Sequence, residues 1–269
     1  MDQPTEPPIV TTEVTPAVGE PPATTTGPSA HMPVASYIHT LIVVLIMAGV
    51  SFMSAKAMEA RQQANPDGPF AQYLTTLAWL WLLALLCYVG IRARKFTLND
   101  VIGGRWKSFD DFLIDIAVAG GFWLASAICL AGIKLALDHG KVTTLGNLPE
   151  AAKNIAPLIP HTPREIVLWI LLSITAGLCE EFVFRGYLQR QFTALTRNAA
   201  AGIVLAAIVF GMGHLYQGVQ QMIIIGLYGA MFGTLAYFRK SLRPGMMAHA
   251  WQDTLSGLAL SILLPHAGK

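Results

Sequence analysis

The sequence predicts an all-α protein, a polytopic membrane helix bundle of seven or eight spans. Three observations carry that prediction. Of the 269 residues, 54% are hydrophobic and only 13% are charged, about half the charged share of a soluble domain. Mean hydropathy is +0.51. The apolar residues are gathered into runs long enough to cross a bilayer, and most of the basic residues lie between the runs. The net charge of +2 is too small to point to a nucleic-acid partner.

Residues 1–33 stand apart. They hold eight prolines and the Thr24-Thr25-Thr26 run, with acids but no Lys or Arg. Such a segment buries too little apolar surface to offset its ordering entropy, so a disordered Pro/Thr-rich tail is expected. It has no basic n-region or apolar h-region of a signal peptide.

Spans follow at about 36–55, 71–91, 112–137, 165–188, 199–215, 218–238 and 245–264. The first three form an N-terminal group, 34–137. The stretch 138–163 is a loop carrying Pro149, Pro157, Pro160 and Pro163. It has room for a short interfacial or re-entrant helix, which would make the eighth span. The fourth span ends in an amphipathic extension, Gly186 to Leu195, with Arg190 among apolar residues. A tight turn, Leu215-Tyr216-Gln217, separates the fifth and sixth.

Grouping alternate loops sets the orientation. One side holds the N-terminus and eleven Lys and Arg between 92 and 243; the other holds six. The basic side, and with it the N-terminus, is predicted to be cytoplasmic. Gly229-Ala230-Met231-Phe232-Gly233 on the sixth span is a small-xxx-small pattern that lets helices approach closely. Cys87, Cys129 and Cys179 lie in apolar runs without a CxxC pair and read as small hydrophobes. His31, His39, His139, His161 and His266 fall in tails, loops or span ends, and none is nominated for a site.

The polar residues inside the spans are more informative, because an ionisable group at that depth is costly unless paired or wetted. Glu180 and Glu181 end the apolar run Ile166–Cys179. Glu181 and Arg185 are i,i+4 with the acid first, the favoured order for an intrahelical ion pair. Glu180 points about 100° away and is left without a local cation. An unpaired carboxylate in a dry setting is a stronger base than one in water, so Glu180 is nominated for catalysis and Glu181 and Arg185 for architecture.

His214 lies 17 residues past Arg197, and Glu180 lies 17 before it. An antiparallel hairpin folded there brings the two to one level, about 25 Å along the axis. Phe210 lies one turn before His214 on the same face. His249 and Asp253 are again i,i+4, and an Asp so placed holds an imidazole in one orientation. His249 is six residues past Arg243, only about 9 Å in. The two depths agree if the 186–197 extension lies in the interface. The site is then expected about 10 Å below the cytoplasmic face, in a wet cavity reached from that side or from lipid.

Glu180-Glu181-x-x-x-Arg185, Phe210-x-x-x-His214 and His249-x-x-x-Asp253 together resemble the three motifs of the CPBP intramembrane proteases. These are the type II CaaX prenyl endopeptidases and their bacterial Abi-type relatives. The resemblance covers about 160–265 and implies that 164–265 is a catalytic four-helix membrane core of this type. It implies an endopeptidase cleaving near the C-terminus of a membrane-associated or prenylated (CaaX-type) substrate. Glu180 would activate water with help from His214, with no covalent intermediate. His249 and its partner would stabilise the oxyanion. Family members carry Asn or Asp at the partner position. Asp253 here must be protonated or act by orienting His249, because an ionised Asp only accepts hydrogen bonds.

Two alternatives stand beside this reading. Glu180, His214 and His249 also make the donor set of a catalytic zinc site, although no HExxH motif is present; otherwise no cofactor is expected. Intramembrane Glu, His and Asp also serve proton-coupled transporters, and a membrane scaffold is the other non-enzymatic reading. The expected partners are a peptide or lipidated protein and the bilayer.

Overall fold

The computed structural model describes residues 32–64, 69–137 and 155–263, with side chains of 61–64 excepted. Most of the Pro/Thr-rich tail, and the 138–154 segment left open for an eighth span, lie outside the described residues. The described chain is helical throughout. Nine α-helices run Tyr37–Ala64 (α1), Phe70–Ala93 (α2), Leu98–Ile102 (α3), Phe109–Leu137 (α4), Pro163–Glu181 (α5), Gln189–Thr196 (α6), Ala199–Met212 (α7), Val219–Arg239 (α8) and Arg243–Leu263 (α9). A π-helical segment, Phe182–Leu188, joins α5 to α6.

Local chemistry sets the helix ends. Thr162 starts α5 with a capping box: its hydroxyl accepts from the Glu165 N–H, Glu165 accepts from the Thr162 N–H, and Pro163 sits at the first turn. Thr97 and Asp100 build the same box on α3, a short helix absent from the sequence reading. Asn198 caps α7 through its Oδ1 and the Ala201 N–H at 3.0 Å. Arg197 and Lys240 take left-handed backbone, both at φ 53°, and turn the chain into the next helix.

Five helical runs are long and apolar enough to cross a membrane: Tyr37–Ala60, Phe70–Ala93, Phe109–Leu137, Pro163–Thr196 and Val219–Arg239. Two of the seven expected spans depart from that standard. α7 has 14 residues, about 21 Å of a core about 30 Å thick. α9 has 21 residues, but Arg243, His249, Gln252 and Asp253 dilute its apolarity.

Polar contacts fix which elements share an end. Gln191 on α6 holds the backbone of Ala35 at the entrance to α1 through both its amide atoms. Arg190 donates to the Val101 carbonyl of α3, and the Leu242 N–H donates to the Ile102 carbonyl. Arg239 pairs with Asp115 at 2.9 Å. The start of α1, the end of α2, α3, the start of α4, the α6–α7 turn and the α8–α9 turn therefore form one end. This is the basic end of the sequence reading.

α5 to α9 form the inner bundle, with α2 and α4 packed against it. Cys87, Val183, Tyr187, Leu188 and Phe210 lie in its main apolar core. α5 crosses α9 at Gly177, where an added Cβ would stand 2.6 Å from the Met246 carbonyl and 2.9 Å from the Ala250 nitrogen. α7 crosses α8 at Gly211, where a Cβ would stand 2.7 Å from the Met222 carbonyl. Backbone atoms cannot yield as a side-chain tip can. Gly177→Val is therefore expected to destabilise the protein by about 1–3 kcal/mol. Gly121→Ala on α4, where a Cβ meets open space, should be neutral or stabilising by up to about 1 kcal/mol. Thermal unfolding of the purified proteins in one detergent checks both.

Candidate active site

The sequence-nominated residues converge. Glu180 and Glu181 end α5, Arg185 lies in the π-segment, and Phe210 lies near the end of α7. His214 opens the α7–α8 turn, and His249 and Asp253 lie on α9. Glu180, Phe210, His214, His249 and Asp253 line one cavity of about 400 Å³. Glu180 and His214 also line a second cavity of about 210 Å³ toward α1. Glu181 and Arg185 sit behind this wall, with side chains 1% and 2% exposed.

Glu181 is the hub. Its Oε1 accepts from Arg185 Nη1 at 3.0 Å and from His249 Nδ1 at 3.0 Å. Arg185 then donates through Nη2 to the Gly229 carbonyl of α8 at 2.9 Å. Its guanidinium carbon lies 4.5 Å from the Phe210 ring centre, 5.1 Å from Phe232 and 5.8 Å from Phe184. Aromatic faces attract a cation and shield it without needing water. Gly245 lets α9 approach: a Cβ there would be 3.2 Å from Glu181 Oε2.

This arrangement gives His249 a carboxylate partner besides Asp253. His249 Nδ1 is taken by Glu181, so Glu181 orients the imidazole. Asp253 Oδ2 lies 3.6 Å from Nε2 and Glu180 Oε2 lies 3.8 Å from it. Both are within ion-pair range and beyond hydrogen-bond range. The reason is geometric: the i,i+4 neighbour stays on the cavity side, with its side chain 37% exposed, while the buried side of the ring meets Glu181. Phe232 stacks on His249 with ring centres 5.3 Å apart at 28°.

Glu180 has no hydrogen bond to a cation; His249 Nε2 stands 3.8 Å from its Oε2. Its Oε2 is buried and has no hydrogen-bond partner. His214 Nδ1 lies 2.9 Å from the Phe210 carbonyl. A carbonyl only accepts, so Nδ1 carries the hydrogen and a neutral ring has a bare Nε2. Tyr216 stacks on His214 at 6.1 Å and 29° and lines both cavities.

The extension after Gly186 is packed into the protein: Gln189, Gln191, Thr193 and Ala194 of α6 are buried, and α6 packs against α7 at Gly202. Glu180 stands near the middle of the 34-residue run Pro163–Thr196, about 25 Å along the axis from either end. Along α9, His249 is six residues past Arg243, about 9 Å, and the Arg243 guanidinium lies 4.8 Å from the ring centre of the exposed Trp106.

The sequence reading missed the function of Gly229 and Gly233. The pair was read as packing, yet their carbonyls receive Arg185 Nη2 and Gln189 Nε2 at 2.9 and 3.0 Å. The matching signal was present: Arg185 and Gln189 share the four-residue spacing of the glycines.

Residues 162–255, about a third of the chain, match the family model described as type II CAAX prenyl endopeptidase Rce1-like. This segment, which runs from the cap of α5 to Leu255 on α9, is similar to the CaaX-type intramembrane proteases. No curated protein and no solved structure matches it.

Removing one member of a buried pair strands the other. Arg185→Met is expected to cost about 3–5 kcal/mol. The double variant Arg185→Met/Glu181→Gln should recover part of that loss. Denaturation of the single and double variants in one detergent measures the coupling.

Proposed function

We propose that the chain is an intramembrane endopeptidase in which Glu180 activates the water that hydrolyses the peptide bond. The observation that carries this reading is the Glu180 carboxylate. It is buried, its Oε2 has no hydrogen-bond partner, and it lies in the wall shared by two cavities. Such an oxygen is an acceptor held ready for a proton. The substrate is a membrane-associated or prenylated (CaaX-type) protein, cleaved near its C-terminus, in keeping with the family.

Each group has a step. Glu180 takes one proton from water as the water oxygen attacks the scissile carbonyl. His214 accepts the water's other hydrogen at Nε2 and aims the attacking lone pair. His249 is held by Glu181 at Nδ1 and carries a second proton on Nε2. Three carboxylates surround this ring: Glu180, Glu181 and Asp253. The Nε2–H donates to the oxyanion of the tetrahedral intermediate. Collapse of that intermediate breaks the C–N bond, and Glu180 passes its proton to the leaving amine. Asp253 balances the charge on His249 from the cavity side. No metal enters this scheme.

Two outcomes check the reading. With purified protein and a fluorogenic lipopeptide, Glu180→Gln should lower kcat by about 10²–10⁴-fold with unfolding unchanged. Full activity in that variant would sink the assignment. Asp253→Asn should keep most of the activity, because Glu181 still orients His249. A tight chelator should leave cleavage unaltered, and metal analysis of the active protein should find no stoichiometric metal.

A further inference from the structure

We infer that the smaller cavity, between α1 and α2, is the subsite for the short C-terminal side of the cleaved peptide, and that Ser51 and Ser54 of α1 limit the size of the residue it takes. The inference rests on the proteolytic reading above and adds which part of the substrate lies where.

A peptide bond cut at Glu180 has chain on both sides of it, so the site needs room in two directions. Glu180, His214, Tyr216, Gln72 and Thr76 line both cavities. The two spaces therefore meet at the groups assigned to the attacking water. His249 and Asp253 line the larger cavity and not the smaller. In the proposed reaction His249 Nε2 holds the carbonyl oxygen, so the acyl part of the bond lies toward the larger cavity. The nitrogen leaves on the other side, where Glu180 hands it a proton and the smaller cavity begins.

The sizes agree with that division. The larger cavity holds about 400 Å³ and the smaller about 210 Å³. Pockets that enclose a drug-sized ligand run to about 300–1,000 Å³, so the smaller one takes only a residue or two. In a peptide cut near its C-terminus, only the side after the cut is that short. The other side continues into a membrane-bound chain.

One face of each helix makes the wall. On α1, Met47, Val50, Ser51, Ser54 and Met58 recur at three- and four-residue spacing, which places them on one side of the helix. Gln72, Thr76, Leu80 and Leu83 do the same on α2. Small side chains on such a face usually let a neighbouring helix approach closely. Here the space in front of Ser51 and Ser54 is the cavity itself. Gln72 Nε2 donates to Thr76 Oγ1 at 3.4 Å, and the Gln72 carbonyl and the serine hydroxyls are groups that meet a peptide backbone. Met47, Met58 and Leu83 supply apolar surface for a compact side chain. Both helices lie outside the matched residues 162–255, so this preference is read from the chain's own N-terminal half.

The test uses the purified full chain and fluorogenic lipopeptides that differ only in the residue after the cut bond, Ala or Phe. A second pair differs only in the residue before it, and mass spectrometry of the products locates the cut. Ser51→Phe narrows the cavity and should lower kcat/KM for the Phe peptide, relative to the Ala peptide, by about tenfold or more, chiefly through KM. Met58→Ala widens the cavity and should move the same ratio the other way. The pair differing before the cut should keep its ratio in both variants. If Ser51→Phe does not fold, Ser54→Leu on the same face takes its place with the same expected direction. Equal losses on both peptides, or a shift confined to the residue before the cut, overturn the inference. If the unaltered protein cleaves none of the peptides, the proteolytic reading falls and the subsite with it. Cleavage whose ratios no variant moves overturns the subsite alone.

Discussion

One carboxylate oxygen holds the interior together. Glu181 Oε1 joins Arg185 of the π-segment to His249 of α9, and Arg185 reaches on to the Gly229 carbonyl of α8. Three elements are thus tied at a depth where water does not supply their hydrogen bonds. Burying such charges costs several kcal/mol per ion unless each is paired and its remaining donors are satisfied. Here the satisfaction is shared among the carboxylate, a backbone carbonyl and three aromatic faces. The consequence is indirect: Glu181 takes the hydrogen bonds of Arg185 and of His249 Nδ1, and the neighbouring Glu180 Oε2 is left without a hydrogen bond at the cavity wall.

The π-segment gives this arrangement its directions. An α-helix repeats its faces every three or four residues, whereas a π-turn inserts about one extra residue and rotates the downstream side chains by about 100°. Phe182–Leu188 makes that shift between the acidic pair and α6. On one face Arg185 and Gln189 address the carbonyls of Gly229 and Gly233 on α8. On another, Tyr187 meets His39 at 2.6 Å and Thr40 at 3.0 Å, and Gln191 holds Ala35. One stretch of chain therefore sets Arg185 and Gln189 against α8 and fastens α1 to the bundle.

Much of this was legible in the sequence, and the remainder failed for identifiable reasons. Apolar runs locate most spans because a bilayer imposes length and composition together. The Glu181–Arg185 contact follows from i,i+4 spacing, which needs only local geometry. Convergence of Glu180, His214 and His249 was legible as motif order. The π-turn was hidden because Phe-Val-Phe-Arg-Gly-Tyr-Leu satisfies an α or π repeat equally well. The place of Asp253 beside His249 was legible from i,i+4 spacing, but the bond from His249 Nδ1 to Glu181 was not, because spacing fixes who is near an imidazole and not which nitrogen is taken first.

The turn between α7 and α8 ties depth to chemistry. Non-helical backbone inside a membrane is tolerated where it is buried in protein or borders a water-filled cavity, because lipid satisfies no peptide group. His214 to Gly218 lie in such a turn, closed by His214 N–H to Gly211 and Gln217 N–H to His214. The hydrolysis proposed above needs water at that same place. An α7 one or two turns longer would carry His214 past the level of Glu180 and fill the cavity. The short helix thus suits the proposed reaction: it ends the apolar wall at the level of Glu180 and leaves the polar turn at the cavity wall. It also leaves the far half of α5 and α9 as the sides of an opening.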